Sequence, residues 1–312
     1  MVSAEPRNID PGALTGVHIL LTYACSYECD HCFLYCSPRS EGTFTLQRLR
    51  DLLDQAAELD AVEWIYMEGG EPFLYYPLML AGLKAARSKG FKVGIVSNCY
   101  WATCTDDAAL WLRPLADIGI QDLSVSDDEY HSDPDEVSPA QIAEAAAREL
   151  GVPVDSIRIQ SPVVQKQEAD DRGKGEPVVG GGVMFRGRAA DKLTEGLPQR
   201  PWEQLNSCPY EELEKPKRVH IDPMGHVHVC QGISIGNVWE RSLLHIMRDY
   251  SPKLHPICGP LVAGGPAELV RRYDLPHESK YVDECHLCFL ARRALLDRFS
   301  AQLAPRQVYG KD

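Results

Sequence analysis

The chain has 312 residues, of which 32 are Lys or Arg and 45 are Asp or Glu, so that its formal net charge is −13. This acidic balance argues against a nucleic-acid partner held through its phosphates, because such binding needs a basic face. At about 150 residues per domain, the length predicts two domains, or one barrel with an appendage. An apolar run of about 18 residues and the apolar core of a signal peptide are both absent, so we expect a cytoplasmic protein with no membrane partner.

The cysteine content is the unusual feature of the composition. Eleven cysteines occur in the chain. A disulfide framework would need an oxidising compartment and an export signal, and it is typical of much smaller chains. Reduced thiols in this number indicate ligands of a metal or an iron–sulfur cluster, and therefore a reducing environment.

Short β-rich runs alternate with helical patterns over the first 190 residues. Strands are predicted at residues 17–23, 62–67, 92–97, 122–126, 156–164 and 182–186, and helices begin at Thr45, Pro77, Thr105 and Ser138. Repeated β–α units predict an α/β fold with a parallel sheet and external helices. Six units are too few for a closed eight-stranded barrel, and periodicity alone does not separate a partial barrel from a doubly wound sheet.

Two later segments mark changes in organisation. Residues 165–181 are polar and Gly-rich, which is typical of a surface loop or of a substrate lid. After residue 190 the elements become short and further cysteines appear. We therefore predict one domain at residues 1–190 and a second, smaller one at 191–312.

The first cysteine motif follows the first predicted strand. Cys25, Cys29 and Cys32 have the spacing C-x3-C-x2-C. Active sites of parallel α/β folds form at the carboxyl ends of strands, which is where this motif lies. Three thiolates can hold three irons of a [4Fe–4S] cluster and leave the fourth open. A zinc site that recruits His31 is the alternative that spacing leaves open.

A second segment gives the motif its context. Met67-Glu68-Gly69-Gly70-Glu71-Pro72 lies at the end of the second predicted strand. Together the two segments resemble the radical S-adenosylmethionine (SAM) enzymes. The resemblance implies a partial (β/α)6 barrel and an open iron that binds SAM. It also implies that Gly69, Gly70 and Glu71 receive the SAM ammonium group.

Further positions resemble this family less closely. Ser126 and Asp128 match the fourth-strand segment that helps to hold SAM. Arg158 can pair with the SAM carboxylate or simply face solvent. Residues 185–189 resemble the Gly-Arg-Ala segment that closes the catalytic domain in many members.

A second cysteine set lies beyond residue 190 and consists of Cys208, Cys230, Cys285 and Cys288. The i, i+3 spacing of the last two places both thiols on one helix face. Residues 219–230 predict a hairpin that delivers Cys230. Residues 221–238 resemble the auxiliary-cluster domain known as SPASM or, with one cluster, twitch. That resemblance implies a second [4Fe–4S] cluster, fully ligated by these four cysteines, and a four-cysteine zinc site is the alternative.

The remaining thiols receive no assigned role and are expected to be small buried hydrophobes: Cys36, Cys99, Cys104 and Cys258. No general base is identified from the sequence.

The resemblance also implies a reaction. Reductive cleavage of SAM gives a 5′-deoxyadenosyl radical, which abstracts hydrogen from a C–H bond of a peptide or a small metabolite. The auxiliary cluster would take part in substrate oxidation or cross-linking. An external reductant of the flavodoxin or ferredoxin type would supply electrons in an oxygen-poor cytoplasm. Because no peptide-recognition domain precedes Cys25, we expect a small substrate or a peptide presented by a separate protein. The alternative from a different class is a non-catalytic iron–sulfur or zinc-binding scaffold.

Overall fold

The computed structural model describes residues 14–166 and 177–311. Its first part repeats a strand followed by a helix. The strands are β1 (Gly16–Thr22), β2 (Trp64–Gly69), β3 (Lys92–Ser97), β4 (Asp122–Ser126) and β5 (Val154–Ile157). The helices between them are α1 (Leu46–Ala57), α2 (Tyr76–Ser88), α3 (Thr105–Ile118) and α4 (Pro139–Glu149). All four neighbouring strand pairs are parallel, which confirms the predicted α/β class.

Alternation along the strands explains which face of the sheet the helices cover. Val17, Ile19 and Leu21 on β1 are all fully buried. Helix α1 packs with the 3.6-residue period predicted from its sequence, burying residues that include Leu49 and Leu52. The opposite face of the same strands therefore carries the intervening, more polar side chains.

Two of the predicted strands differ from the structure. The strand predicted at 156–164 is divided between β5, in the main sheet, and β6 (Val163–Lys166), which pairs antiparallel with β7 (Pro177–Gly180). The strand predicted at 182–186 is wrong. Gly181 and Gly182 have φ of 107° and 79°, which turn the backbone away from the extended conformation. A short helix, α5 (Arg188–Lys192), follows instead.

Residues 167–176 of the predicted loop or lid lie outside the described residues. The strand β8 (Arg200–Pro201) comes after α5.

Three later strands extend the same sheet: β9 (Arg218–Ile221), β10 (His226–Cys230) and β11 (Ile233–Asn237). β9 lies parallel to β1, and β10 returns antiparallel to β9 as the predicted hairpin. The strand order is β11-β10-β9-β1-β2-β3-β4-β5. The sheet is thus continuous across residue 190, and the two-domain division remains a prediction.

The C-terminal elements are α6 (Leu243–Asp249), α7 (Cys258–Tyr273), β12 (Lys280–Tyr281) and α8 (Glu284–Ala294). Asp283 caps α8 by accepting a hydrogen bond of 2.8 Å from the backbone N–H of His286. This cap fixes the start of the helix that carries Cys285 and Cys288. Among the described residues, no helix combines the length and the apolar character that crossing a membrane requires.

Candidate functional site

The first three cysteines lie in one loop at the carboxyl edge of the parallel sheet, directly after β1. The backbone N–H of Cys32 donates to the carbonyl of Cys29 at 3.1 Å, and that of Cys25 donates to the carbonyl of Ser37 at 3.1 Å. These bonds fold the loop back on itself. All three side chains therefore emerge from one short, constrained segment.

Hydrogen-bond partners surround the thiols of this loop. Asn98 Nδ2 donates to Cys25 Sγ at 3.4 Å, and His131 Nε2 lies 3.4 Å from Cys29 Sγ. Burial raises the pKa of Cys25 to about 11 and that of Cys29 to about 12. Both thiols thus need the positive charge of a bound metal to ionise near neutral pH. Hydrogen-bond donors beside sulfur, such as Asn98, stabilise metal-bound thiolates and tune the metal centre.

His131 is positioned by the carboxylate of Asp128. Its Nδ1 lies 2.7 Å from Asp128 Oδ1, which also accepts from the backbone N–H of Tyr130 at 3.1 Å. The result is a chain from Asp128 through His131 to Cys29. Sequence reasoning included Asp128 but missed His131, although the two are only three residues apart.

Gly69 and Gly70 allow the end of β2 to pack directly on the backbone that leads into the cysteine loop. A Cβ atom on Gly69 would collide with the carbonyl oxygen of Thr22, and one on Gly70 with that of Ala24. The N–H of Gly70 donates to the Thr22 carbonyl at 2.8 Å. Both glycines are therefore required by a close backbone approach.

Glu71 follows these glycines and is fully buried. Its carboxylate accepts hydrogen bonds from the N–H of Asn98 at 2.7 Å, the N–H of Phe73 at 3.0 Å and the hydroxyl of Ser97 at 3.0 Å. Burial raises the pKa of Glu71 to about 7, against the opposing effect of these donors. In this structure the carboxylate joins the ends of β2 and β3.

The other predicted SAM contacts lie near the ends of β4 and β5. Ser126 is the last residue of β4 and is half-buried. Arg158 comes directly after β5, and its guanidinium donates to Asp127 Oδ2 at 2.8 and 3.1 Å. The Arg158 side chain is 63% exposed.

A Gly-Arg pair supports the cysteine loop from the other side. Arg188 is buried and donates to the carbonyl oxygens of Cys29 at 2.5 Å and Cys36 at 2.9 Å. Gly187 has φ of 62°, and a Cβ there would lie 2.6 Å from the Cys32 carbonyl oxygen. The segment that resembles Gly-Arg-Ala therefore contacts the backbone of the loop directly.

The second cysteine set lines one pocket, together with two buried arginines. The four cysteines are Cys208, Cys230, Cys285 and Cys288. β10 carries one of them and α8 carries the last two, so the predicted shared helix face is observed.

The arginines beside this pocket are Arg186 and Arg292, which are 3% and 1% exposed. Arg186 Nη1 lies 3.0 Å from Cys230 Sγ and also donates to Glu211 at 3.1 Å. Burial alone would lower the pKa of Arg186, but the charges of Cys230 and Glu211 raise it. The Nε atoms of both arginines have no hydrogen-bond partner. A four-thiolate [4Fe–4S] cluster, which is anionic and presents sulfide acceptors, fits these buried donors. Sequence reasoning missed both arginines.

The zinc alternative stays open at both cysteine sets. Within the described residues, neither set has three sulfur atoms that all lie within 4.8 Å of one another. His31, the other candidate zinc ligand, packs against the ring of Tyr130, with the ring centroids 4.4 Å apart.

The four unassigned cysteines have separate surroundings. Cys36 is buried, and its thiol hydrogen bond lowers the pKa of Cys32 to about 6. Cys99 and Cys258 are fully buried, in agreement with the expected hydrophobic role. Cys104 is exposed at the start of α3, where its sulfur accepts from the N–H of Asp107 at 3.5 Å.

Comparison with known proteins adds a family match. Residues 19–159 match the model described as the radical SAM superfamily. YydG of Bacillus subtilis (strain 168), named for peptide biosynthesis, is 26% identical over 116 residues, which are 37% of this chain and 36% of that protein. The chain thus matches about a third of the length of that relative.

Similar solved structures include BtrN in complex with AdoMet and 2-DOIA, at 16% identity, with 76% of this chain and 83% of that chain covered and a TM-score of 0.48. Streptococcus suis SuiB bound to the precursor peptide SuiA is 14% identical, with 88% and 76% covered and a TM-score of 0.45. The complex of anSMEcpe with AdoMet and the Kp18Cys peptide is 11% identical, with 93% and 98% covered and a TM-score of 0.47.

Proposed function

We propose that the chain, whose residues 19–159 match the model of the radical SAM superfamily, is an enzyme that cleaves SAM reductively and abstracts hydrogen from a C–H bond of a peptide. The observation that carries this proposal is the loop of Cys25, Cys29 and Cys32, held against the end of β1 and flanked by Gly69 and Gly70. These thiols would hold a [4Fe–4S] cluster, which would supply the electron for the reductive cleavage of SAM.

The residues of the chain position these groups. Arg188 and Gly187 hold the backbone of the loop, so that the three thiols keep a fixed arrangement. Glu71 stays buried and joins the ends of β2 and β3. The half-buried backbone of Gly69 and Gly70, with Ser126, Asp128 and Arg158, would bind SAM. The predicted contact of the buried Glu71 carboxylate with SAM stays a prediction.

The second cysteine set would hold an auxiliary cluster. Arg186 and Arg292 supply the buried positive charge that an anionic cluster needs, and their unpartnered Nε atoms support this assignment. Four thiolate ligands leave no iron open, so this cluster would accept electrons during substrate oxidation or cross-linking. A flavodoxin- or ferredoxin-type protein would supply the electrons for the first cluster.

A peptide is the substrate class that the comparisons favour. The support is the name of YydG, which refers to peptide biosynthesis. We infer that the chain modifies a peptide. Incubation with a short peptide encoded beside the gene should change the mass of that peptide, and turnover of a small metabolite alone would contradict the inference.

The reaction itself is tested by anaerobic reconstitution followed by incubation with SAM and dithionite. We expect 5′-deoxyadenosine and methionine from the wild-type chain and at most traces from Cys29→Ala. Cys104→Ala, which alters an exposed thiol at the start of α3, is the matched control and should retain activity. Absence of both products from wild-type protein that holds iron would favour a non-catalytic scaffold.

A further inference from the structure

Three side chains that the proposed chemistry does not use meet on the sheet face opposite the helices. His18 lies on β1, Glu68 on β2 and His220 on β9, and His18 is directly paired with His220 across the two strands. His18 Nδ1 lies 3.2 Å from Glu68 Oε2, and His220 Nε2 lies 3.1 Å from Glu68 Oε1. The three ligand atoms lie within 4.8 Å of one another. Cis ligands of an ion bound at about 2.1 Å lie roughly 3 Å apart, which is close to the two distances between imidazole and carboxylate.

His220 faces two polar side chains through one ring nitrogen. Its Nε2 lies 3.1 Å from a carboxylate oxygen of Glu68 and 3.3 Å from the amide group of Gln231. Gln231 is only 6% exposed, and its amide oxygen has no hydrogen-bond partner. Because rotation of the amide by 180° exchanges its oxygen and nitrogen, either atom can face Nε2. Gln231 is therefore a buried polar neighbour of the cluster.

One side of this cluster is open. A pocket lined by His18, Tyr66 and Arg218, among others, lies beside it, and the side chains of His18 and Glu68 each keep 16% exposure. Water or substrate can therefore reach an ion there. The Tyr66 ring stacks on His18 with the ring centroids 4.7 Å apart, which fixes the imidazole plane.

A second cluster also consists of two histidines and one carboxylate, but its carboxylate is closed off from solvent. Asp222, His226 and His228 also bring their ligand atoms within 4.8 Å of one another. Asp222 is fully buried, and its carboxylate already accepts from the hydroxyl of Tyr23 at 3.2 Å and the N–H of His226 at 2.9 Å. This closed cluster serves as an internal comparison for the open one.

We propose that His18, Glu68 and His220 bind one divalent first-row metal ion through two imidazole nitrogens and a carboxylate. This donor set suits ions such as Fe²⁺ or Mn²⁺ and leaves coordination positions open. The pocket beside the cluster is lined by Gly16, Trp64 and Arg218, which are the first residues of β1, β2 and β9. The ion would therefore be reached from the amino ends of these strands, where it could bind a carbonyl or carboxylate oxygen of a ligand. The metal site does not depend on whether SAM is cleaved.

The test is to titrate the reconstituted full-length chain with Mn²⁺. The concentration of free Mn²⁺ is measured from its six-line electron paramagnetic resonance signal. Mn²⁺ is the probe because it avoids thiolates. We expect one site per chain, weakened about tenfold or more by His18→Gln and by Glu68→Gln. His226→Gln, in the closed cluster, should leave the affinity unchanged. Circular dichroism and iron content show whether each variant has folded.

A spectroscopic readout distinguishes this site from weak binding to the acidic surface. Pulsed electron paramagnetic resonance of bound Mn²⁺ should show coupling to imidazole nitrogen, which His18→Gln reduces. Binding that is equal in wild type and both site variants would overturn the proposal. So would the absence of nitrogen coupling in wild-type protein, because His18 and His220 would then be hydrogen-bonding residues only.

Discussion

Asp222 shows how a single buried carboxylate holds part of the C-terminal sheet together. It is fully buried and accepts hydrogen bonds from Tyr23, which directly follows β1, and from His226 on β10. Burial would raise the pKa of Asp222, but the hydrogen bonds from His226 and His228 outweigh it and lower the pKa. The charged form is therefore favoured in the folded chain.

We predict that Asp222→Asn lowers the free energy of unfolding by about 3 to 5 kcal/mol, because it leaves buried donors without their charged partner. Since the folded pKa lies below the unfolded value, the stabilisation is present above pH of about 4 and is lost as the pH falls further. Urea unfolding at several pH values measures both effects. Asp222→Asn should flatten the acid limb of the stability curve, and an unchanged limb would contradict the assignment.

Arg186 contacts both Cys230 of the second cysteine set and the carboxylate of Glu211. We predict that Arg186→Met removes about half of the iron, because Cys230 loses its buried charged partner. Arg218→Met is the control, since Arg218 also faces Glu211, at 3.6 Å, but its guanidinium is about half exposed. Iron analysis after anaerobic reconstitution measures the effect. Equal iron in both variants would count against the role of Arg186.

Sequence alone predicts candidate ligands most readily when they are close together in the chain. The three thiols of the first loop and the pair on α8 are separated by only a few residues, so their grouping can be predicted before the fold is known. His131 lies 102 residues from Cys29, and Arg186 lies 44 residues from Cys230. Their roles depend on strand ends that meet only in the folded sheet.

Among the elements, the segment of residues 186–188 is in contact with both cysteine sets. Arg186 reaches Cys230, and it also lies over the ring of Phe33, at 5.1 Å from the centroid. Gly187 and Arg188 contact the backbone of the first loop. Movement of this segment would therefore disturb both candidate clusters.

We predict that Gly187→Ala disrupts the first cysteine loop, because the new methyl group would meet the backbone of Phe33 and Cys32. Gly196→Ala is the matched control, since Gly196 also has positive φ, at 73°, but nothing lies within 4 Å of an added Cβ. The control should lose only about 1 kcal/mol of stability, from backbone strain. Iron content and SAM binding should fall in Gly187→Ala alone; equal losses in both would show that backbone strain, not the contact, is responsible.

Element prediction was most accurate for two strands of the parallel sheet. β3 and β4 have the bounds expected from the sequence, because each follows a helix end and carries buried apolar side chains, such as Ile95 on β3 and Leu123 and Val125 on β4. The strand predicted at 156–164 failed since periodicity did not reveal the break after Ile157. The strand predicted at 182–186 failed because the positive φ of Gly182 redirects the chain.

On the scale of the whole molecule, one continuous sheet carries residues of both cysteine sets. β1 leads directly into the first loop, while β10, two strands away in the sheet, carries Cys230. This connection was not predicted, because the sequence shows a change of composition after residue 190 but not the pairing of β9 with β1. The sheet and the segment of residues 186–188 thus hold the two sets in a fixed relation.

The central claim is that seven of the eleven cysteines form two independent cluster sites. Iron counting after anaerobic reconstitution tests it most directly, using wild type, a triple Cys25, Cys29 and Cys32→Ala variant, and a double Cys285 and Cys288→Ala variant. We predict about eight irons in wild type and about four in each variant. About four irons in wild type, or loss of all iron from the triple variant, would contradict the claim.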